Sequence, residues 1–483
     1  MASALGVAVV ACLALELWAR MELPQVREQA IAYGTPLAEE ARARDLQRVS
    51  GIPDPSAAPE PDKDAAAWEA VLNSGDDAAC AALAGRTGYW LVRVDAAGVI
   101  HASFPPDRHS DEKLATTAER VRPDESVLSL LNPAEAADFH SALESARQGN
   151  AAPARFYNLS LPDGSSCLSE WHIGTVDHAS GTLPLRVGLS LWEQFGLRYR
   201  ANIDVTNPLE QWGAPTRLRT NAQGWRDDPM EVPKPDGVRR IVCIGGSTTA
   251  GGPRGDLTYP NLTEQRLRTA LGDDRIEVVN CGVYAAGSDT VRKLLPDILA
   301  LQPDIVVQYN FINDFLPSHR GWYGASITDL IKAFLARSTF VRLHFNAWLL
   351  PGKEAIRRGY RDATLDNFKA TLEACRSAGA RVAFASFAYP TLDTSEPDYI
   401  LYTRFDPRCT DLDSLSYGKV VDLCNDELKR FCEAEGAIYI PVAENVRGGI
   451  PYFMDMCHMR LPALESMADT VAESLEQVLV SVQ

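Results

Sequence analysis

Two distant segments of the sequence carry the residue types of nucleophilic catalysis. Ser247 follows an apolar run, Ile241 to Ile244, and the glycine pair Gly245-Gly246. Near the other end of the chain, Asp455 stands three residues before His458. A serine hydroxyl needs a base to take its proton, and the base needs an anion to fix its tautomer. The pattern predicts Ser247 as the nucleophile, His458 as the base and Asp455 as its orienting carboxylate.

A third segment ends in an amide. The apolar run Ile305 to Ile312 leads into Asn313-Asp314. An amide at the tip of a strand can donate a hydrogen bond to a developing oxyanion. Each segment also has a plain structural interpretation, since serine caps helices after glycine turns and asparagine is common in turns. The assignment therefore depends on whether the fold brings the three segments together.

Alternation of strand and helix is the pattern that would bring them together. Apolar runs separated by helical segments predict a parallel sheet with helices on both faces, and ligands bind at the carboxyl edge of such a sheet. Ser247, Asn313 and His458 each follow a predicted strand. The predicted strands are Ile241 to Ile244, Ile276 to Val283, Ile305 to Tyr309, Val382 to Ala388 and Ile438 to Val442.

In order along the chain, the motifs resemble those of the SGNH (GDSL-type) hydrolases. The resemblance implies an α/β domain with a flavodoxin-like parallel sheet over residues 213–483. It also implies a serine esterase whose oxyanion is held by the backbone N–H groups of Ser247 and Ala285 and by the side chain of Asn313. The matching motifs are Gly245-Gly-Ser-Thr248, Asn280-Cys-Gly-Val283, Asn313-Asp314, Asp455-Met-Cys-His458 and the lead-in Arg219 to Arg226, which resembles the entry of the GGST subgroup.

Three positions depart from the family pattern. Ala285 stands where the second motif has a glycine, and Phe311 replaces a glycine two residues before Asn313. Ala463 or its neighbour replaces a glycine after the last motif. None of these changes removes a reacting group, so we expect them to alter the shape of the acyl pocket rather than the chemistry.

The start of the chain predicts a membrane anchor helix over residues 1–20. The stretch Ala2 to Ala19 is apolar apart from Glu16, although its length is marginal for a bilayer span, and a buried amphipathic helix is the alternative. Residues 21–64 predict a charged stalk and a proline-rich linker. The family resemblance implies an extracytoplasmic enzyme, whereas the basic residues after the span favour a cytoplasmic one. We predict the extracytoplasmic orientation (periplasmic or cell surface), with the cytoplasmic orientation as the alternative.

Residues 65–212 predict a second, α+β unit. Its strand and helix patterns run in the order β-β-α-α-β-β-β, with turns at Asp95 to Gly98 and at Asp163-Gly164, and they resemble a PAS domain. Such units bind a small ligand or mediate self-association. His140 lies on a predicted helix, where a surface or core residue is the usual interpretation. We therefore predict no cofactor.

Residues 318–360 form an insertion after the third strand of the parallel sheet. Its apolar helical core is typical of a packed helix pair, and equally of a lid or a membrane-facing wall over the acyl pocket. The aromatic residues Trp322, Tyr323 and Trp348 are candidates for lining a substrate groove.

Composition limits the partners. A net charge of −17 over 483 residues argues against nucleic acid, whose phosphates require an excess of lysine and arginine. The ten cysteines form no CxxC pair and the eight histidines are scattered, so no metal site is predicted. Cys409 with Cys424, or Cys80 with Cys167, are disulfide alternatives if the domain lies outside the cytoplasm.

Three functions are compatible with these patterns. The leading prediction is a serine esterase that acts on carboxyl esters, with an acylated glycan or lipid as its substrate. An acyltransferase would form the same acyl-enzyme and pass the acyl group to a sugar instead of water. A non-catalytic sensor or scaffold, with a degenerate hydrolase domain, is the third. All reacting residues are present, which favours an enzyme.

Overall fold

The structure is a computed structural model of the chain, and the chain divides into two compact units. One unit comprises Met1–Pro55 and Asp204–Gln483, and the other comprises Ser56–Ile203. The structure describes residues 2–52, 68, 70–87, 90–105, 112–131, 133–148, 155–160, 166–174, 176, 182–189, 199, 204–207, 216–322, 327–393, 395–404 and 412–480.

The first unit begins with one long helix, α1 (Ala2–Gly51), which includes both the predicted anchor and the predicted stalk. Within the described residues, no helix is both long and apolar enough to cross a membrane. The anchor predicted over residues 1–20 is therefore not supported. The side chains of residues 1–10 lie outside the described part of the chain, as do residues 53–64 of the predicted linker.

Helix α1 packs against its own unit. Ala19, Ala30 and Ala41 are buried, and a side chain on Gly34 would meet the ring of Tyr399 at 2.1 Å. Small side chains let the helix backbone approach the surface beneath it. The residues predicted as a stalk are thus part of the packed structure of this unit.

The second unit is built on an antiparallel sheet of five strands in the order β2-β1-β5-β4-β3. The predicted three-strand meander is present as β3 to β5. Phe139 packs edge-on against Trp171 in the core. The elements are α2 (Asp77–Thr87), β1 (Trp90–Val94), β2 (Ile100–Phe104), α3 (Glu112–Arg120), α4 (Pro133–Arg147), β3 (Arg155–Ser160), β4 (Ser166–Ile173) and β5 (Leu183–Leu189).

The rest of the first unit contains a short antiparallel hairpin, β6 (Asp204–Asn207) with β7 (Thr216–Arg219), followed by a parallel sheet of five strands. The order of the parallel sheet is β12-β11-β10-β8-β9, which confirms the predicted parallel α/β architecture. Its strands are β8 (Arg239–Gly245), β9 (Ile276–Gly282), β10 (Ile305–Tyr309), β11 (Arg381–Ala385) and β12 (Ile438–Ile440).

The central strands β8 and β10 are buried along almost their whole length, as is typical of a parallel sheet between layers of helices. From β8, the chain adds β9 on one side of the sheet and then crosses to add β10, β11 and β12 on the other side. Open α/β sheets bind ligands at such a switch point, which here lies between β8 and β10. The helices are α5 (Ser247–Ala250), α6 (Tyr259–Leu271), α7 (Ser288–Ala300), α8 (Ile312–Ser318), α9 (Ile327–Leu335), α10 (Thr339–Leu349), α11 (Lys353–Tyr360), α12 (Asp366–Ser377), α13 (Ser414–Glu435), α14 (Val442–Asn445) and α15 (Leu461–Val480).

The predicted insertion contains α9, α10 and α11. Trp322 is buried against Phe315, with ring centroids 5.4 Å apart. It packs against the core beside a small cavity that Phe315 and Leu350 also line, and its role in a substrate groove stays a prediction. Trp348 is exposed, and Tyr323 lies outside the described residues.

Candidate active site

Ser247 stands directly after β8, at the start of the short helix α5. Two glycines make this position possible. A Cβ on Gly245 would lie 2.3 Å from the carbonyl oxygen of Tyr309, and a Cβ on Gly246 would lie 2.6 Å from Nδ2 of Asn313. Because glycine has no Cβ, the neighbouring strand end and the amide can both close on this turn.

Asp455 and His458 lie on a tight loop just before α15. Oδ1 of Asp455 accepts hydrogen bonds from the amides of Cys457, at 2.9 Å, and His458, at 2.7 Å. The amide of Arg460 donates to the carbonyl of Tyr452 across the base of the loop, at 2.7 Å. These bonds hold the aspartate and the histidine in one rigid turn, which the spacing of three residues allows.

The structure brings the three predicted side chains together at the carboxyl edge of the parallel sheet. Nε2 of His458 lies 2.8 Å from Oγ of Ser247, which is 211 residues away in the sequence. Nδ1 of His458 lies 2.6 Å from Oδ2 of Asp455. Since a carboxylate only accepts hydrogen bonds, Nδ1 carries the proton and Nε2 is left to accept one from the serine hydroxyl.

The electrostatics of the pair follow from its partial burial. Burial opposes the ionisation of Asp455, but the charge of His458 and the hydrogen bonds to the carboxylate outweigh it and lower the pKa of Asp455 to about 2. Burial likewise opposes a charge on His458, and the neighbouring Asp455 outweighs it and raises the pKa of the imidazole above 6.5. The aspartate is therefore a permanent anion beside a histidine of increased basicity.

Asn313 lies in the first turn of α8, with its amide next to the turn that carries Ser247. Its Nδ2 donates to the carbonyl of Ala286 at 3.0 Å. The buried side chain of Asn310 donates to the same carbonyl at 3.1 Å. Asn310 was not predicted, and its only sequence signal is that it precedes Asn313 by three residues in the same motif. The two amides fix the loop after β9 against the end of β10.

Ala285 lies in that loop and adopts a left-handed backbone conformation, with φ of 61°. The amide of Ala286 donates to the carbonyl of Val283 at 3.1 Å, so Ala285 is the third residue of a turn that requires positive φ. The loop thus keeps at Ala285 the conformation that the glycine of the family pattern would adopt, at a steric cost of about 1–2 kcal/mol.

A buried carboxylate that was not predicted supports the same loop from below. Oδ1 of Asp314 accepts from the amide of Ser288 at 2.7 Å, and Oδ2 accepts from Oγ1 of Thr364 at 3.3 Å. Burial, opposed in part by these hydrogen bonds, raises the pKa of Asp314 to about 7. Asp314 follows Asn313 directly, so one helical turn carries both the predicted oxyanion donor and the group that anchors α7.

A buried ion pair fixes the histidine loop to α1. Nη1 of Arg460 lies 3.2 Å from Oδ2 of Asp45, and both side chains are about 7% exposed. Nε of Arg460 donates to the carbonyl of Ile450 at 2.9 Å. Sequence reasoning missed this pair because the two residues are 415 positions apart, and nothing in either local pattern signals the other.

The lead-in motif supports the segment after Ser247. The buried guanidinium of Arg226 donates to the carbonyls of Ala250 and Gly252. Oδ2 of Asp227 accepts from the amide of Asn280 at the centre of β9. The motif therefore acts by holding the backbone around Ser247.

The departures from the family pattern are packed into the structure. Ala463 is fully buried in α15. Phe311 is also buried, and an aromatic cluster surrounds it directly before Asn313, which fills the space that a glycine would leave open. The rings in contact with Phe311 belong to Phe315, Tyr360, Phe387 and Tyr417.

Asp455, Cys457 and His458 also present metal-ligand atoms within 4.8 Å of one another. Two of these groups already bond to each other, as Nδ1 of His458 with the carboxylate of Asp455. Burial raises the pKa of the Cys457 thiol to about 11, so that it is neutral at pH 7 and a weak metal ligand. The arrangement therefore fits a serine site better than a metal site. Elsewhere, Cys80 and Cys424 are buried free thiols, whereas Cys409 and the side chain of Cys167 lie outside the described residues.

Comparison with known proteins gives likenesses of fold. No family model matches the chain, and no curated protein sequence matches it. Among solved structures, a GDSL-like lipase from Bacteroides thetaiotaomicron is similar, with a TM-score of 0.29 and 14% identity, over 50% of this chain and 89% of that one.

An acetyl xylan esterase is similar at a TM-score of 0.31 and 13% identity, over 49% of this chain and 99% of that one. The TesA structure is similar at a TM-score of 0.32 and 18% identity, over 50% of this chain and 99% of that one. At these values the likeness carries no argument about activity, which has to come from the site itself.

Proposed function

We propose that the chain is a serine esterase that hydrolyses carboxyl esters through an acyl-enzyme. The observation that carries the proposal is the hydrogen-bond chain from Ser247 through His458 to Asp455, with distances of 2.8 and 2.6 Å. Both distances are within reach for proton transfer. A hydroxyl, an imidazole and a buried anion in this order are the groups that acyl transfer needs.

The first half of the reaction uses the tautomer that Asp455 imposes. Nε2 of His458 takes the proton of Ser247 as Oγ attacks the ester carbonyl carbon. The imidazolium that forms lies beside the Asp455 carboxylate, which stabilises its charge. His458 then gives the proton to the alkoxide of the leaving alcohol, and the acyl group stays on Oγ.

The tetrahedral intermediate needs donors for its oxyanion. The backbone N–H groups of Ser247 and Ala285 are the proposed main-chain donors, and Asn313 is the proposed side-chain donor. One N–H of the Asn313 amide goes to the carbonyl of Ala286, which leaves its second N–H for the substrate. Removing one such donor typically costs about 100- to 1000-fold in kcat.

Water completes the reaction in an esterase. His458 takes a proton from the water as its oxygen attacks the carbonyl carbon of the acyl-enzyme. His458 then returns the proton to Oγ of Ser247 as the bond from Oγ to the acyl carbon breaks and the carboxylic acid leaves. If a sugar hydroxyl takes the place of the water, the same site acts as an acyltransferase. We propose hydrolysis of O-acetyl or short acyl groups on a glycan or lipid, and an added glycan acceptor distinguishes the two reactions by its product.

The proposal is tested with p-nitrophenyl acetate and butyrate and with a covalent phosphonate probe. We expect turnover by the wild type and a loss of roughly 10⁶-fold, to the background rate, in Ser247→Ala. Mass spectrometry should place the phosphonate on Ser247. The matched control is Ser377→Ala, since Ser377 is exposed at the end of α12 and bonds only locally in the helix.

Two outcomes would contradict the proposal. One is equal esterase activity in Ser247→Ala and the wild type. The other is a folded wild type that neither turns over simple esters nor takes up the phosphonate, which would favour a non-catalytic sensor or scaffold. If the phosphonate labels a different serine, the protein is still an enzyme, but Ser247 is not its nucleophile.

The remaining sequence predictions stay as proposals. We propose that the second unit is PAS-like and binds a small ligand or mediates self-association, supported by its sheet order β2-β1-β5-β4-β3. We also propose that the unit containing Ser247 lies outside the cytoplasm, as the family resemblance implies. Protease protection in spheroplasts tests this location.

A further inference from the structure

Helix α9 presents its apolar side to solvent. None of its residues is buried, and four large apolar side chains at helical spacing are exposed, Ile327 by 72%, Leu330 by 58%, Ile331 by 47% and Phe334 by 70%. An amphipathic helix normally turns this side toward a core. Exposed apolar surface of this kind marks an interaction site.

Helix α10 extends this surface. Phe345 and Trp348 are about half exposed on it. Lys332 of α9 lies over the Trp348 ring, 5.6 Å from its centroid, and its ammonium donates to the carbonyl of Leu350 at 2.7 Å. These contacts connect α9 to α10, so that the apolar residues of the two helices belong to one surface.

Helix α1 reaches the same surface from its other side. Trp18 stacks on His344 of α10, with ring centroids 5.2 Å apart. Glu16 accepts hydrogen bonds from Ser338, at 2.8 Å, and from the amide of Thr339, at 3.2 Å, at the start of α10. The exposed apolar residues on this part of α1, at spacings of four, are Leu13, Leu17 and Met21.

The charge of the insertion differs in sign from the rest of the chain. Residues 318–360 contain seven lysines and arginines and two acidic residues, a net charge of +5. The whole chain carries −17, so the remaining residues carry −22. Three of these basic residues, Lys332, Arg337 and Arg342, lie on or between α9 and α10, against one acidic residue, Asp329. Because Glu16 and Glu22 of α1 contact the start and the middle of α10, the positive charge is concentrated on the α9–α10 part of the surface.

We propose that α9, α10 and the exposed stripe of α1 form a docking surface for an anionic lipid membrane. Apolar side chains with tryptophan at their margin and basic residues around them are the composition of an interfacial helix, which lies in the plane of the headgroups. Basic groups gain affinity for anionic lipid. A second copy of the chain would place one basic surface against another, and so is disfavoured. The proposal does not depend on the catalytic role of Ser247.

The full chain is tested by flotation with phosphatidylcholine vesicles, with and without phosphatidylglycerol. We expect tighter binding when phosphatidylglycerol is present, and weaker binding as salt increases. Leu330→Ser and Phe334→Ser should each reduce binding about tenfold, because each removes one large apolar contact with the lipid. Arg337→Gln should reduce binding only to the anionic vesicles. The matched control, Leu415→Ser, removes an exposed apolar side chain of α13.

Leu330→Ser and Phe334→Ser change exposed positions, so we expect both variants to unfold at the same temperature as the wild type. Thermal unfolding followed by circular dichroism checks this. Equal vesicle binding by the wild type and the variants would overturn the proposal and assign all binding to the apolar start of α1. Absence of wild-type binding would also overturn it. A concentration-dependent dimer that Phe334→Ser dissociates, without vesicle binding, would assign the surface to self-association instead.

Discussion

Asp314 makes the stability of this protein depend on pH in a way that one substitution can remove. Its carboxyl is buried beneath the loop after β9 and accepts from the Ser288 amide and the Thr364 hydroxyl. Asparagine has the same shape, and it keeps the acceptor for Ser288 while offering Thr364 a donor. Asp314→Asn therefore imitates the protonated acid and cannot ionise.

The size of the effect follows from the pKa. Burial raises the pKa of Asp314 from 3.8 to about 7, so the folded protein holds this proton more tightly than the unfolded chain. The stability gained from it is fully present below 3.8 and is lost as the pH rises toward 7. The loss is about 2 kcal/mol at about pH 5 and about 4 kcal/mol at about pH 8. The free energy of unfolding of Asp314→Asn, taken relative to the wild type, should therefore be about 2–3 kcal/mol larger at the higher pH than at the lower one.

Urea unfolding of both proteins at the two pH values measures this difference. Any constant effect of the amide on packing cancels, because each comparison contains the same substitution. Asp426→Asn, at an exposed position on α13, is the control for removing a carboxylate from the surface. If the wild type and Asp314→Asn differ by the same free energy at both pH values, the carboxyl does not titrate as argued and the reasoning fails.

Three further predictions concern the site and its supports. Asp455 raises the pKa of His458 above 6.5, so kcat/KM should fall as the pH is lowered, with a midpoint above 6.5. Asp455→Asn should lower this midpoint and should reduce kcat by about 10⁴-fold. Asp45→Ala removes the carboxylate that faces the buried guanidinium of Arg460 and should destabilise the first unit by about 3–5 kcal/mol in thermal unfolding. Ala285→Gly should change unfolding free energy by less than about 1 kcal/mol, since relief of the left-handed backbone offsets greater chain entropy, whereas Ala285→Val should cost about 2 kcal/mol.

Each of these has an outcome that would contradict it. An unchanged pH profile in Asp455→Asn would remove the aspartate from the proton-transfer chain. The control for Asp45 is Arg48→Ala, which breaks a more exposed ion pair with Glu465 and should cost less than about 1 kcal/mol. Equal losses in the two variants would show that burial of the Asp45 pair does not matter. Full stability in Ala285→Val would disprove the positive φ at that residue.

The sequence predicts the architecture of the first unit from local patterns. Each strand of the parallel sheet is a short, mostly apolar run, and a segment with helical periodicity separates each strand from the next. Such patterns depend on neighbours within a few positions, so they can be found before the fold is known. The same holds for the turn at Gly245-Gly246 and for the spacing of Asp455 and His458.

Contacts between distant residues follow a different rule. Asp45 and Arg460 form an ion pair because α1 packs against the loop before α15. The residues next to each of them in the sequence do not indicate that its side chain is buried. The apolar start of α1 also predicts a membrane anchor, whereas no described helix is both long and apolar enough to cross a membrane. Ala19 and Ala30 are buried where α1 packs against its own unit. This packing role is visible only in the tertiary structure.

The sequence by itself determined which residues can react and which strands carry them, because residue chemistry and strand pattern are local properties. The tertiary structure alone decided that Ser247 and His458 meet at 2.8 Å, that Ala285 adopts a positive φ, and that α9 turns its apolar side outward. These depend on how elements far apart in the chain pack at one sheet edge or on one face, which no local pattern encodes.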